Sequence, residues 1–249
     1  MTFWISPSQA QNLNDEYARL TAVIEKKPDD LGLQMDLAYL FSQGREEARA
    51  IKIYGAVLQK EPDNLRATIE LCALYTAVRN QEKAPKACER AVKLAPQNPL
   101  MHDNLGLSYF KFGKYRRALK PFLDALALDP KSILIRTHLA QTYLALGEFL
   151  VARSVFKNLS VAPELKNEEK FLVFYGLYLA NRGLNDDEDA FTAIRETYKY
   201  SDNPLFLTKV MAAYMAAHQA VFFFIFGFIL LFGTKYFGER LNRFLKNED

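Results

Sequence analysis

Cysteine is almost missing from this chain: Cys72 and Cys88 are the only two. Two thiols exclude a disulfide framework and a multi-cysteine metal site. Histidine is nearly as scarce, and no cluster of His, Cys and Asp around His102, His138 or His218 has metal-ligand spacing. Charge of one sign is not in excess. Thirty-two Lys and Arg against 29 Asp and Glu leave +3, too little to imply a polyanion, so no nucleic-acid partner is expected. There is no Gly-rich phosphate loop, Ser nucleophile elbow or paired-carboxylate arrangement. The acidic run "GLNDDEDAF" lacks the glycine and terminal glutamate of a calcium loop and reads as a solvated turn. The expectation is therefore no catalytic residue, no metal, no cofactor and no enzyme. The N-terminus has no basic stretch followed by a long apolar core, so no secretory signal is expected and the chain is expected to start in the cytosol.

What is present is ordinary for a folded protein: 50% hydrophobic and 24% charged residues, in a length that holds one large domain or two small ones. The order is less ordinary. Pro28, Pro62, Pro96 and Pro130 are each 34 residues apart. Leu37, Leu71, Leu105 and Leu139 keep the same period, followed directly by Ala38, Cys72, Gly106 and Ala140, and three further on by Phe41, Tyr75, Tyr109 and Tyr143. A second set runs through Ala50, Ala84, Ala118 and Ala152, with Tyr54, Cys88, Phe122 and Phe156 four residues later. Leu, small residue and aromatic at i, i+1 and i+4 make one face of a first helix. Ala and aromatic at i and i+4 make the facing stripe of a second. Gly113 and Gly147 fall between the helices, where a turn needs freedom in φ. Proline closes each unit, and "EPDN", "APQN" and "DPKS" are the matching turns. No such unit buries its apolar face alone, so the units must stack.

This pattern resembles the tetratricopeptide repeat family. The unit Pro99–Ser132 carries Leu105, Gly106, Tyr109, Ala118, Phe122 and Pro130 in the family order, with His102 where the family often has Trp. The expected fold is an all-α solenoid of helix-turn-helix repeats: a leading helix within 1–30, with Leu20 and Val23 inward, then four repeats over 31–166. A degenerate fifth follows over 167–204, with about two extra residues around Asp186–Asp189. The resemblance implies non-catalytic protein binding in a groove lined by the first helices. By family phase its residues are Met35, Tyr39, Ile69, Ala73, Asp103, Leu107, Phe110, Thr137, Gln141 and Leu144. That mixed, largely apolar set suits a helical or extended peptide segment. The Lys and Asn clamp of the family's chaperone-binding members has no counterpart at these positions. Cys72 and Cys88 stand in the two packing columns of one unit, which favours core packing. A disulfide stays open for an extracytoplasmic domain.

The remainder, 205–249, reads as a capping or transmembrane helix with a short basic tail. Val210–Thr234 contains no charged residue, and six phenylalanines lie between 222 and 232. That density leaves no polar face. The strictly apolar core, Ala220–Gly233, is about 21 Å long as a helix, short of the ~30 Å of a bilayer core, but Tyr214 and Tyr236 flank it like interfacial aromatics. The expectation is a single-pass, tail-anchored protein in contact with membrane lipid, with His218 and Gln219 near one interface, read first as solvated groups at the headgroup level and next as a contact to other membrane-protein subunits. Lys235, Arg240, Arg243 and Lys246 argue by the positive-inside rule for repeats outside the cytoplasm, yet export without a signal argues for repeats in it, and the second is preferred. A basic cluster, Lys111, Lys114, Arg116, Arg117 and Lys120, contrasts with the acidic stretch 164–202. It reads first as a solvated face and next as a docking patch for an acidic partner or anionic lipid. The function expected is a membrane-anchored scaffold or adaptor. The alternatives are a structural subunit of a membrane complex and an extracytoplasmic assembly factor.

Overall fold

The structure, a computed structural model, describes residues 7–201, 208–210 and 212, with side chains from Asp15 onward. Among the described residues eleven helices follow one another: α1 (Pro7–Lys26), α2 (Leu31–Gln43), α3 (Glu47–Lys60), α4 (Leu65–Ala77), α5 (Lys83–Leu94), α6 (Pro99–Lys111), α7 (Tyr115–Leu128), α8 (Ile133–Leu146), α9 (Phe149–Ser160), α10 (Asn167–Gly183) and α11 (Asp187–Lys199). From α2 on they form hairpins of a first and a second helix. The contacts divide the chain after Pro130 into two units, the first holding α1–α7 and the second starting with α8.

The start of each hairpin is written locally. Asp30, Asn64, Asn98 and Ser132, each 34 residues after the last, cap α2, α4, α6 and α8, their side-chain oxygens accepting a backbone N–H of the first turn. The position of His102 is explained as well: its Nε2 donates to the Pro96 carbonyl at 2.8 Å, and Gln34 reaches the Pro28 carbonyl in the same way one turn into α2. The side chain ties the hairpin start to the preceding proline turn without the bulk of an indole.

The turn inside each hairpin is equally regular. Arg45, Arg79, Gly113, Gly147 and Asn185 all have φ between 57° and 80°. The next N–H (Glu46, Asn80, Lys114, Glu148, Asp186) donates back to the carbonyl of Phe41, Tyr75, Tyr109, Tyr143 or Asn181 at 2.8–2.9 Å. This is the Schellman bond that closes a helix through one left-handed residue. Glycine takes that conformation without strain. Arg45 and Arg79 take it against a side-chain penalty.

The columns form the core. Ala50, Ala84, Ala118 and Ala152, and with them Tyr54, Cys88, Phe122 and Phe156, are wholly buried. Ala38, Cys72, Gly106 and Ala140 face them and let the paired helices approach closely: a Cβ on Gly106 would stand 2.6 Å from two ring carbons of Phe122. The second hairpin solves the same packing problem with sulfur. Cys72 and Cys88, both buried, are joined by a disulfide, so the expectation of two free packing thiols is replaced by a covalent tie between α4 and α5.

Three further expectations are corrected. Val23 is exposed, and α1 turns Leu20, Thr21 and Ile24 toward the protein instead, with Tyr17 edge-on to the Phe41 ring. The fifth hairpin carries four extra residues, not two. Gly147 and Asn185 are 38 apart where the earlier turns are 34 apart, and the insertion is one more turn of α10, not a longer loop. Among the described residues no helix is long and apolar enough to cross a membrane. The longest, α1, carries Asp15, Glu16, Arg19, Glu25 and Lys26, so the single-pass membrane location expected from the sequence is withdrawn. Most of Val210–Thr234, including His218 and Gln219, lies outside the described residues. Of that stretch Val210 is buried and Ala212 is exposed.

Candidate functional site

In the first unit the first helices α2, α4 and α6 stand side by side, and their shared face was expected to be the groove. The structure sorts the expected residues by helical position. Met35 and Asp103 point inward and are buried, and Ile69 is half-buried. One turn on, Tyr39 (45% exposed) and Ala73 stand open, while Leu107 and Phe110 are half-buried. Phe110 is engaged edge-on with Tyr115 at 5.2 Å, which makes it a support for the α6–α7 turn more than a free contact. Between α2 and α4 the face is crossed by Arg66, whose guanidinium donates to Asp36 at 2.7 Å. That bond raises the Arg66 pKa, and burial raises the Glu70 carboxyl beside it above the usual glutamate range.

Between α4 and α6 the face opens into a cavity of ≈ 510 Å³. Its lining is Cys72, Ala73, Thr76 and Ala77 from α4, and Asn104, Leu107 and Lys111 from α6, with Arg79 at one end. Small side chains on α4 make the depth. The Arg79 guanidinium donates to the Lys111 backbone carbonyl at 3.4 Å, which places both residues at the hairpin-turn end of the cavity. Of the expected groove residues only Ala73 and Leu107 line this cavity. Thr76, Ala77, Asn104, Lys111 and Arg79 were not foreseen as groove residues, although their signal was available: they lie three, four or six residues from residues that were.

The basic cluster continues from there. Lys111, Arg116, Arg117 and Lys120 are exposed and Lys114 is half-buried. Lys120 is neutralised by Asp124 at 2.8 Å. Arg117 lies close enough to Tyr109 to favour its phenolate, but burial and the bond from Tyr109 Oη to Glu89 outweigh it and hold that pKa above the tyrosine range.

In the second unit Thr137 is buried, its hydroxyl donating to the Ile133 carbonyl at 2.8 Å, while Gln141 and Leu144 are half-buried. The equivalent positions one repeat later are Phe171, Tyr175 and Tyr178 on α10. They form a stripe of near-parallel rings, with centroids 6.1 Å apart from Phe171 to Tyr175 and 5.8 Å from Tyr175 to Tyr178. The Lys209 ammonium sits 5.1 Å over the Tyr175 ring and donates to its hydroxyl at 3.2 Å. This stripe was absent from the expected groove, although a shift of 34 residues from Thr137, Gln141 and Leu144 finds all three.

Among the described residues no group of three or more His, Cys, Asp and Glu is placed to hold a metal ion. What the described residues form are apolar and aromatic helix faces, with a cavity between α4 and α6.

The comparisons agree with that geometry at the level of fold. Residues 77–159 match the sequence profile of the anaphase-promoting complex, cyclosome, subunit 3 family. A tetratricopeptide repeat protein from Parabacteroides merdae superposes with a TM-score of 0.68 at 17% identity, over 86% of this chain and 82% of its own. YrrB, described as a tetratricopeptide repeat protein with an unusual peptide-binding site, gives 0.59 at 18% over 78% of this chain and 97% of its own. A chain of the APC/C hetero-tetramer Cut9–Hcn1 gives 0.65 at 16%, over 82% of this chain and 40% of its own. No curated protein matches by sequence. The protein has the fold of the tetratricopeptide-repeat α-solenoids.

Proposed function

We propose that this protein is a non-catalytic scaffold that holds segments of partner proteins against the faces of its first helices. The observation that carries this is the α4–α6 cavity, a concave site of ≈ 510 Å³ with apolar walls and a few polar groups converging at one end. Exposed Tyr39 on α2 and the Phe171, Tyr175 and Tyr178 stripe in the second unit add aromatic surface of the kind that anchors protein contacts. A helical or an extended segment fits such surfaces. YrrB, with its peptide-binding site, supports the first part of this reading. Membership of a larger multi-subunit assembly is a second reading, favoured by the likeness of residues 77–159 to repeats of an anaphase-promoting complex subunit.

Site-specific photo-crosslinking tests the proposal. A benzophenone amino acid is placed in turn at Ala73, at Tyr175 and, as a control off the groove, at the highly exposed Val161. The same protein crosslinked from Ala73 or Tyr175 but not from Val161 supports the groove. Adducts only from Val161, or none from either groove position, refute it.

A further inference from the structure

The α4–α6 cavity has two ends of different chemistry. Along its length the walls are Ala73, Ala77, Leu107 and the methyl of Thr76, with the half-cystine Cys72 behind them. At the hairpin-turn end stand Arg79 and Lys111, held together by the bond from the Arg79 guanidinium to the Lys111 carbonyl. That bond occupies one donor of a guanidinium that has five, and it leaves the Lys111 ammonium unused. Among the described residues neither cation is ion-paired with a carboxylate, and the same holds for Lys114, Arg116 and Arg117 on the turn that follows. Two acids on α5 and its start are engaged elsewhere: Glu82 with Lys86 at 2.9 Å, and Glu89 as acceptor from the Tyr109 hydroxyl at 2.7 Å. A concentration of unneutralised cations at one end of an apolar cavity is a directional feature. It favours anions there and apolar side chains behind them.

We infer that this cavity takes an acidic segment of a partner protein, in extended form, with an apolar side chain seated between Ala73 and Leu107 and its following carboxylates at Arg79 and Lys111. The inference rests on the scaffold function proposed above and adds the chemistry and the direction of the bound chain. The two parts of the site divide the work. The apolar part supplies burial, which is insensitive to salt. The cationic part selects against neutral and basic segments and speeds encounter, and it weakens as salt shortens the Debye length. The αL turn at Arg79 is part of the device, because it brings that side chain back over the end of α6.

The test uses the full chain and three fluorescein-labelled ten-residue peptides, alike in two leucines and differing only in the four residues that follow: aspartate, asparagine or lysine. Fluorescence anisotropy is expected to show the aspartate peptide bound at least tenfold more tightly than the asparagine peptide at low salt, with no binding of the lysine peptide. Lys111→Gln and Ala73→Trp should each weaken the aspartate peptide about tenfold, the first by removing charge and the second by filling the cavity. Circular dichroism checks that both variants keep the wild-type helix content. Equal binding of the aspartate and asparagine peptides overturns the inference while leaving the scaffold reading intact. Aspartate binding that ignores Ala73→Trp overturns it too, since the contact is then surface charge alone. So does an absence of binding, in which case crosslinking from Ala73 still decides the scaffold reading. Sedimentation showing that the chain self-associates, with Lys111→Gln abolishing it, assigns the cavity to a second copy and overturns the partner segment.

Discussion

Glycine is the sharpest probe of how these hairpins pack, because two of its positions in the first unit predict opposite signs. Gly106 lies in α6 against Phe122, and a Cβ there would meet two ring carbons at 2.6 Å and a third at 2.9 Å. Ordinary carbon contacts lie at about 3.5–4.0 Å, so the ring or the helix must retreat by about 1 Å. Phe122 is wholly buried, so its ring can retreat only by displacing neighbouring core atoms. Overpacking of this kind costs about 1–3 kcal/mol, against a gain of about 1 kcal/mol from replacing a mid-helix glycine by alanine. Gly55 lies inside α3 with nothing within 4 Å of its Cβ position, so Gly55→Ala keeps only the gain. The two substitutions are chemically identical, so the gap of about 1–3 kcal/mol between them isolates the packing term. Urea denaturation followed by far-ultraviolet circular dichroism measures it. Adding Phe122→Leu, which replaces the ring by a smaller aliphatic side chain, should recover part of the Gly106→Ala loss as a favourable coupling in a double-mutant cycle. If Gly106→Ala stabilises the protein as much as Gly55→Ala does, the close approach of α6 and α7 is wrong and so is the account of the small-residue column.

Three other outcomes are expected. Cys72 and Cys88 are 16 residues apart, and reducing their bond should remove about 3 kcal/mol by the loop-entropy argument. Dithiothreitol should therefore lower the melting temperature of the wild type and leave Cys72→Ala/Cys88→Phe, which restores the small and aromatic pair, unmoved. Asn64→Ala and Ser132→Ala each delete a capping acceptor and should each cost about 1 kcal/mol. Glu46→Ala, at a helix start with no side-chain cap bond, should change little. Glu70 has a folded-state pKa raised by burial, so its effect on stability is absent below the ordinary glutamate pKa and becomes a loss as pH rises through the folded value. Glu70→Gln should accordingly melt above the wild type at neutral pH, with the difference closing as pH falls below the ordinary glutamate range. A difference that grows on acidification contradicts the assignment.

The repeat was legible because one residue choice recurs wherever the same contact recurs. Every Ala–aromatic column is set by two helices touching, and touching helices tolerate few alternatives. Cys72 and Cys88 could be assigned to those columns but not joined, since spacing alone does not say whether two neighbouring sulfurs bond. The groove was less legible for a geometric reason. Positions such as Met35 and Thr137 share a helical face with Tyr39 and Gln141, yet stand a turn deeper, where the neighbouring helix covers them. The cavity is made as much by what is small, Ala73 and Ala77, as by any residue that draws attention. The α10 stripe escaped because the groove residues were carried only as far as Leu144 in the fourth repeat; carried on by one period, Phe171, Tyr175 and Tyr178 fall into register. The membrane expectation rested on Val210–Thr234, and among the described residues no helix supports it.

The added turn of α10 has a mechanical meaning for the second unit. Four residues of helix raise the α10–α11 turn by about 6 Å relative to the α8–α9 turn. The edge formed by these two turns is thus a stair, and its upper tread carries Asp186 through Asp189 while its lower one is the bare backbone of Gly147. Two ion pairs, Arg153 with Asp186 and Arg182 with Asp187, fasten the riser to the helices beneath it. A straight rod that engages both treads must therefore lie tilted along that edge, climbing from Gly147 toward Asp186.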